Sequence, residues 1–162
     1  IILLGLIGAF ASCVGGYSFT GASISPDVHT YQVEPFVNRA SIVQATLASD
    51  LTNDLVNKIN SSTNLEQTNS NADVSFKGVI TSYTISPTSI GANDRAAKNR
   101  LTITIKISFV NNKNPKDNYQ AQFSRFREYD SNYSLSDVEE SLINEISEEL
   151  VEDIFNKSFV NW

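Results

Sequence analysis

The residues that could do chemistry here are few, and their spacing argues against catalysis. Cys13 is the only cysteine and His29 the only histidine in 162 residues. A zinc centre of the usual His or Cys type needs three or four such ligands, so it is excluded. A Ser-His-Asp triad would have to use His29, with Asp27 two residues away, yet no G-x-S-x-G nucleophile elbow occurs anywhere in the chain. No Gly-rich phosphate loop is present. The acids Glu139, Glu140, Glu145, Glu148, Glu149, Glu152 and Asp153 could furnish the carboxylate pair that glycoside hydrolysis needs. Nothing in their order marks a pair as buried or convergent, and an acid-rich helix face is expected to be a solvated one. A single thiol allows no disulfide within the chain. We therefore expect no enzyme, no cofactor and no metal.

Cys13 gains its meaning from what precedes it. Residues 1–12, Ile-Ile-Leu-Leu-Gly-Leu-Ile-Gly-Ala-Phe-Ala-Ser, are almost wholly apolar and end in the small pair Ala11-Ser12. The run has the length of a signal-peptide core and is shorter than the roughly 20 apolar residues needed to span a bilayer. A small-small-Cys ending resembles the cleavage site of a bacterial lipoprotein signal. Phe10 departs from that pattern, which places an aliphatic residue there. The resemblance implies an exported bacterial protein with Cys13 as its lipid attachment point. It makes residues 1–12 a signal-peptide remnant and residues 13–27 a lipidated tether that Gly15-Gly16 would keep flexible. The competing reading is a buried strand with an inert thiol. Two or more acyl chains, at about 0.8 kcal/mol per buried methylene, would anchor firmly.

Composition bounds what remains. Residues 28–162 fit one domain. The balance of 12 basic and 18 acidic residues, a net charge of -6, makes a poor nucleic-acid binder, because phosphate recognition needs clustered Lys and Arg. No second apolar run is long enough to cross a membrane.

The elements follow from periodicity. His29 to Phe36 reads as a first strand. A helix follows, with Ser41 and Gln44 as a capping box and Leu47, Leu51, Leu55 and Ile59 as one apolar stripe. Residues 60–71 read as a polar loop. The second strand begins at Val74, carries Gly78 as a candidate bulge and ends at Pro87. Arg100 to Val110 alternates strictly, with Leu101, Ile103, Ile105, Ile107 and Phe109 on one side and Thr102, Thr104, Lys106 and Ser108 on the other, predicting one buried face. The fourth strand covers about 118–129, its alternation disturbed near Arg125. The last helix spans about 135–155, with Ser134 as N-cap, Tyr133 and Val138 as a hydrophobic staple, and Val138, Leu142, Ile146, Leu150 and Ile154 on one face. The order β-α-β-β-β-α predicts an α+β fold: a two-layer sandwich with two helices on one face of a four-stranded mixed sheet.

Three stretches, taken with Cys13, carry a resemblance to a known family. They are residues 13–24 (Cys-Val-Gly-Gly-Tyr-Ser-Phe-Thr-Gly-Ala-Ser-Ile), residues 99–105 (Asn-Arg-Leu-Thr-Ile-Thr-Ile) and residues 150–159 (Leu-Val-Glu-Asp-Ile-Phe-Asn-Lys-Ser-Phe). The chain resembles the LptE-like lipopolysaccharide-assembly lipoproteins, in the form found in the Bacteroidota. That resemblance implies two helices packed on a four-stranded sheet. It also implies a non-catalytic lipoprotein of the outer membrane, facing the periplasm, that plugs and helps assemble the β-barrel LptD and assists lipopolysaccharide transport to the cell surface. Val14 is not the Asp that retains some lipoproteins in the inner membrane, and no acidic surface-export run follows Cys13. The alternative is another periplasm-facing lipoprotein, an accessory subunit of a lipid transporter or a pilotin of a different pore.

A protein that touches lipid A phosphates needs cations. Arg95, Lys98 and Arg100 fall in or beside the long polar stretch 87–99, whose only acid is Asp94, and form the first candidate for lipopolysaccharide or barrel binding. Lys113 and Lys116, around the next turn, form the second. An ordinary solvated hairpin is the competing reading. Exposed charges act through screened attraction, so such binding should weaken with salt.

Overall fold

The computed structural model describes residues 24–90 and 96–160. The signal remnant, Cys13, most of the tether and Arg95 lie outside the described residues. The elements are β1 (Thr30–Val33), β2 (Val37–Asn38), α1 (Leu47–Ser62), β3 (Glu66–Gln67), β4 (Val74–Ile90), β5 (Ala96–Asn111), a 3-10 turn (Pro115–Asp117), β6 (Tyr119–Asp130) and α2 (Leu135–Phe159). One mixed sheet has the order β3-β1-β4-β5-β6, with β2 pairing β4 beyond the end of β1. β1, β2 and β3 make the parallel pairs, while β4-β5 and β5-β6 are antiparallel. The architecture is the predicted α+β sandwich of two helices on a mixed sheet. Two strands of two residues each, β2 and β3, add to the four expected.

Both helices cover the same sheet face because each has one apolar stripe and that face is their common cover. Leu47, Leu51, Leu55 and Ile59 of α1 are all fully buried. On α2 the buried set is Leu142, Ile143, Ile146, Leu150, Val151, Ile154, Phe155 and Phe159, with Val138 only half-buried at the start. Opposite them lie Val74, Phe76, Ile80 and Tyr83 of β4 and Leu101, Ile103, Ile105, Ile107 and Phe109 of β5. Each fully buried aliphatic side chain contributes about 1.5–3 kcal/mol of transfer free energy. At the end where α2 finishes, Phe76, Phe109, Phe155, Phe159 and Tyr119 seal the core with ring centroids 5.0–6.1 Å apart. Burial pushes the Tyr119 hydroxyl up to about 12, against the opposing effect of its bond with Ser158.

Local chemistry moved several boundaries. α1 begins at Leu47 and the Ser41/Gln44 capping box does not form. The Gln44 Oε1 instead accepts from the backbone N–H of Thr46 and Leu47 (2.9 and 2.7 Å), capping the helix from outside it. Residues 41–46 are thereby held as a loop, with Ile42 and Val43 exposed. Ser134 is the N-cap residue of α2 but makes no side-chain capping bond; its hydroxyl meets Ser136, and Tyr133 is exposed, not stapled. Part of the polar stretch 60–71 became β3, whose Glu66 N–H is accepted by the His29 carbonyl. Pro87 does not end β4. Beyond Ile80 that strand has a neighbour on one side only, so a residue lacking an N–H need not break a ladder. The expected loop 87–99 is therefore largely paired strand, and Lys98 and Arg100 belong to β5.

Gly78 is not the bulge. It pairs in register with Ile107, and the irregularities fall between Ile80 and Ser82, between Pro87 and Ser89 and between Ser89 and Ile90. Gly78 is required by packing: a Cβ there would lie 2.5 Å from the Phe36 ring, which is itself buried. Gly78→Ala should therefore displace Phe36 and cost about 1–3 kcal/mol, as overpacking does. Urea unfolding would measure it, and a variant as stable as the wild type would show that the ring can give way.

Candidate functional site

Among the described residues, nothing covers the face of the sheet opposite the helices. By register that face carries Lys77, Val79, Ser82, Thr84 and Ser86 from β4, Thr102, Thr104, Lys106 and Ser108 from β5, and Gln120, Gln122, Ser124, Phe126 and Glu128 from β6. Neighbours across the strands are Thr84-Thr102-Phe126, Ser82-Thr104-Ser124, Lys106-Gln122 and Ser108-Gln120. The Thr104 and Ser124 hydroxyls bond to each other at 2.9 Å. The result is a long surface of hydroxyls and amides with Lys77 and Lys106 as the charges of its middle. It can offer many hydrogen bonds of either sense. The strict alternation of 100–110 made its central strand legible from sequence.

The two groups of candidate cations sit at opposite ends of this sheet. At one end Arg100 donates to Glu128 (2.7 Å) and lies 4.1 Å from the centroid of the Phe126 ring, while the Lys98 ammonium stands 3.9 Å from Glu128. The Glu128 carboxyl is held below its usual range, first by the Arg100 hydrogen bond and then by the charges of Arg100 and Lys98. At the other end Lys113 pairs with Asp73 (3.0 Å), and Lys116 lies exposed on the 3-10 turn. The strand between Arg100 and Asn111 separates the groups by about 36 Å, at roughly 3.3 Å per residue. No small ligand could meet both. Of the first group, Lys98 and Arg100 share Glu128; sequence reasoning missed Glu128 and Phe126, which only strand pairing brings beside Arg100.

On the helix side, a set of charges serves as a clasp. Arg125 donates to Asp153 (2.7 and 2.6 Å), and Arg127 donates to Glu145 and Glu149 (2.7 Å each). Both guanidinium groups are raised above their ordinary values by these hydrogen bonds, Arg125 chiefly by Asp153 and Arg127 chiefly by Glu149. Lys58 pairs with Glu152, and the buried Tyr83 hydroxyl donates to Glu139. So the acids of α2 are only partly a solvated face. The signal was present: Glu145, Glu149 and Asp153 recur every fourth residue, and Arg125 and Arg127 share one side of a strand. His29 is exposed and lies just before β1; its backbone N–H, with that of Thr30, donates to Asp73 (2.8 and 3.0 Å). Among the described residues, no group of three or more His, Cys, Asp or Glu could hold a metal ion, and no helix is long and apolar enough to cross a membrane.

The sandwich with both helices on one side of a mixed sheet is similar in fold to solved structures that include bacterial lipoproteins. A crystal structure of the rare lipoprotein B from Shewanella oneidensis superposes with a TM-score of 0.58 at 15% identity, over 77% of this chain and 91% of that one. A hypothetical protein from Chlamydia trachomatis gives 0.57 at 8% identity, over 83% and 99% of the two chains. A minor lipoprotein from Acinetobacter baumannii gives 0.52 at 14%, over 79% and 90%. No curated protein sequence matches the chain. The model of the family described as "LptE: Lipopolysaccharide-assembly" matches residues 28–158. The chain belongs to that family.

Asp73 locks the start of β1 to the β4 and β5 ends, and its pH dependence is a test of that lock. Its carboxyl is held far below the ordinary 3.8, first by the His29 N–H, then by the Lys113 ammonium and the Thr30 N–H. A depressed folded-state value means the stabilisation is complete above the ordinary value and lost as pH falls through the folded one. The melting-temperature gap between wild type and Asp73→Asn should be constant above about pH 5 and shrink below about pH 4. A gap that stays unchanged down to pH 2 would rule out ionised Asp73 as the lock.

Proposed function

We propose that this protein is a non-catalytic outer-membrane lipoprotein that seats in an LptD-type β-barrel, helps it assemble and assists lipopolysaccharide transport to the cell surface. The lipid anchor is Cys13, and the domain faces the periplasm. The observation that carries the reading is family membership over residues 28–158 together with the bare sheet face. The interior wall of a wide outer-membrane barrel is polar. A stopper for such a lumen needs a surface rich in uncharged donors and acceptors, and Thr102, Ser108, Gln120, Gln122 and Ser124 supply one. Affinity purification of the lipidated protein from detergent extract should bring down one very large barrel. Charge placed on the face by Thr84→Glu with Ser124→Glu, whose cross-strand neighbours Thr102 and Thr104 are uncharged, should reduce that recovery at least about tenfold, since unpaired charges across an interface cost several kcal/mol. Full recovery by this double variant would move the contact elsewhere. Recovery of a smaller pore or a transporter instead would favour the accessory-subunit or pilotin role.

Lipopolysaccharide contact is proposed for Arg95, Lys98 and Arg100, with Lys113 and Lys116 as the weaker site. A lipid A phosphate would compete with Glu128 for the Arg100 guanidinium. Replacing Arg95, Lys98 and Arg100 together with Ser should lower retention on immobilised lipopolysaccharide at low salt. Glu128→Gln should raise it, because the competing carboxylate is gone. Unchanged retention in both proteins would remove these residues from the function.

A further inference from the structure

We infer that the groove between α1 and α2 is a slot for one lysine or arginine side chain of the barrel partner, held by Asp54 and Glu148. The inference rests on the proposed seating in a barrel and adds a second contact, because a wall that surrounds the domain meets the helix layer as well as the open sheet face.

The two helices lie side by side, with Lys58 of α1 paired to Glu152 of α2 and 5.2 Å from the centroid of the Phe155 ring. Beside that pair lies a groove of about 380 Å³. Its charged walls are Asp54 and Lys58 from α1 and Glu148 and Glu152 from α2, three acids against one base. Lys58 and Glu152 satisfy each other. Asp54 and Glu148 are left over, both exposed and without an ion pair or side-chain hydrogen bond among the described residues. Val151 lines the same groove, is only 5% exposed, and gives it an apolar base.

Further observations point to a cationic occupant. Ser147 is 2% exposed and its hydroxyl has no hydrogen-bond partner. It falls three residues after Asn144 and four before Val151, both of which line the groove, so it lies on that side of α2. Partial burial, then the charge of Asp50, push the Asp54 carboxyl above its ordinary value. The surroundings carry the same sign. Asp50, Asp137 and Glu140 are exposed on these helices and enter no ion pair among the described residues, and the only other cation in α1 or α2 is Lys157, in the last turn of α2. The lining then selects the kind of cation. Among the described residues no three acids could hold a metal ion, and a small ion would leave Val151 bare. A lysine or arginine lays its methylenes on apolar surface and places its charged head among acceptors.

The test uses the lipidated protein purified with its barrel. A photoreactive benzoylphenylalanine takes the place of Asn144, exposed on the α2 rim, or of Asn57, exposed on the α1 rim, and the cross-linked barrel peptide is sequenced. That peptide should contain a Lys or Arg whose replacement by Met lowers the cross-link yield at least about tenfold, as loss of one partner of an interfacial charge pair does. Asp54→Asn with Glu148→Gln should lower it as much, and Glu140→Gln, an exposed acid outside the groove, should leave it unchanged. All three acids are exposed, so the variants should keep their melting temperatures, which are checked alongside. A yield that ignores the double variant overturns the slot while leaving the seating in the barrel intact. A barrel peptide without Lys or Arg, or a cross-link to a second copy of this chain, overturns it too. A wild-type protein that recovers no barrel overturns the functional reading and this inference with it.

Discussion

Two apolar stripes compete for one sheet face, and the rest of the molecule follows from both being accommodated there. The stripe of α1 and the stripe of α2 each need cover, and β4 and β5 present a continuous row of Ile, Leu and Phe on one side only. Packing both helices against that row buries three apolar surfaces at once. Its consequence is asymmetry. Among the described residues nothing packs on the opposite face, so its side chains must be able to live in water or against a polar wall. Alternation along β5 satisfies both demands with a single strand.

The helix side is held by polarity as well as by burial. Arg125 and Arg127 occupy positions where alternation would put apolar residues, and the sheet tolerates them because α2 brings Glu145, Glu149 and Asp153 within hydrogen-bond distance. These are half-exposed groups, so each pair contributes little on its own; a linked set with good bidentate geometry contributes more than isolated surface pairs do. The inward charges also blunt β6, a twelve-residue edge strand that would otherwise present an apolar flank to other chains.

The geometry also separates two groups of cations. Lys98 and Arg100 share Glu128 at one end, and Lys113 pairs with Asp73 at the other. That separation is a property of strand length, because β4 and β5 are 17 and 16 residues long.

Sequence by itself determined the two stripes, the alternation of 100–110 and the α+β class. Each of these is a local pattern with a period, or a residue count, and needs no knowledge of neighbours. The family resemblance came from the same string, and the match over residues 28–158 agrees with it. Tertiary structure decided where α1 begins, because Gln44 reaches forward to Thr46 and Leu47 and no local capping box competes. It decided that β4 runs past Pro87, since only the pairing shows which side of the proline is free. It decided that Gly78 is a seat for Phe36, and that acids on α2 answer arginines on β6. The start of α1 rests on a contact two and three residues along the chain; the other three depend on residues distant in the chain meeting across a sheet or a helix interface, and such meetings leave no period in the sequence.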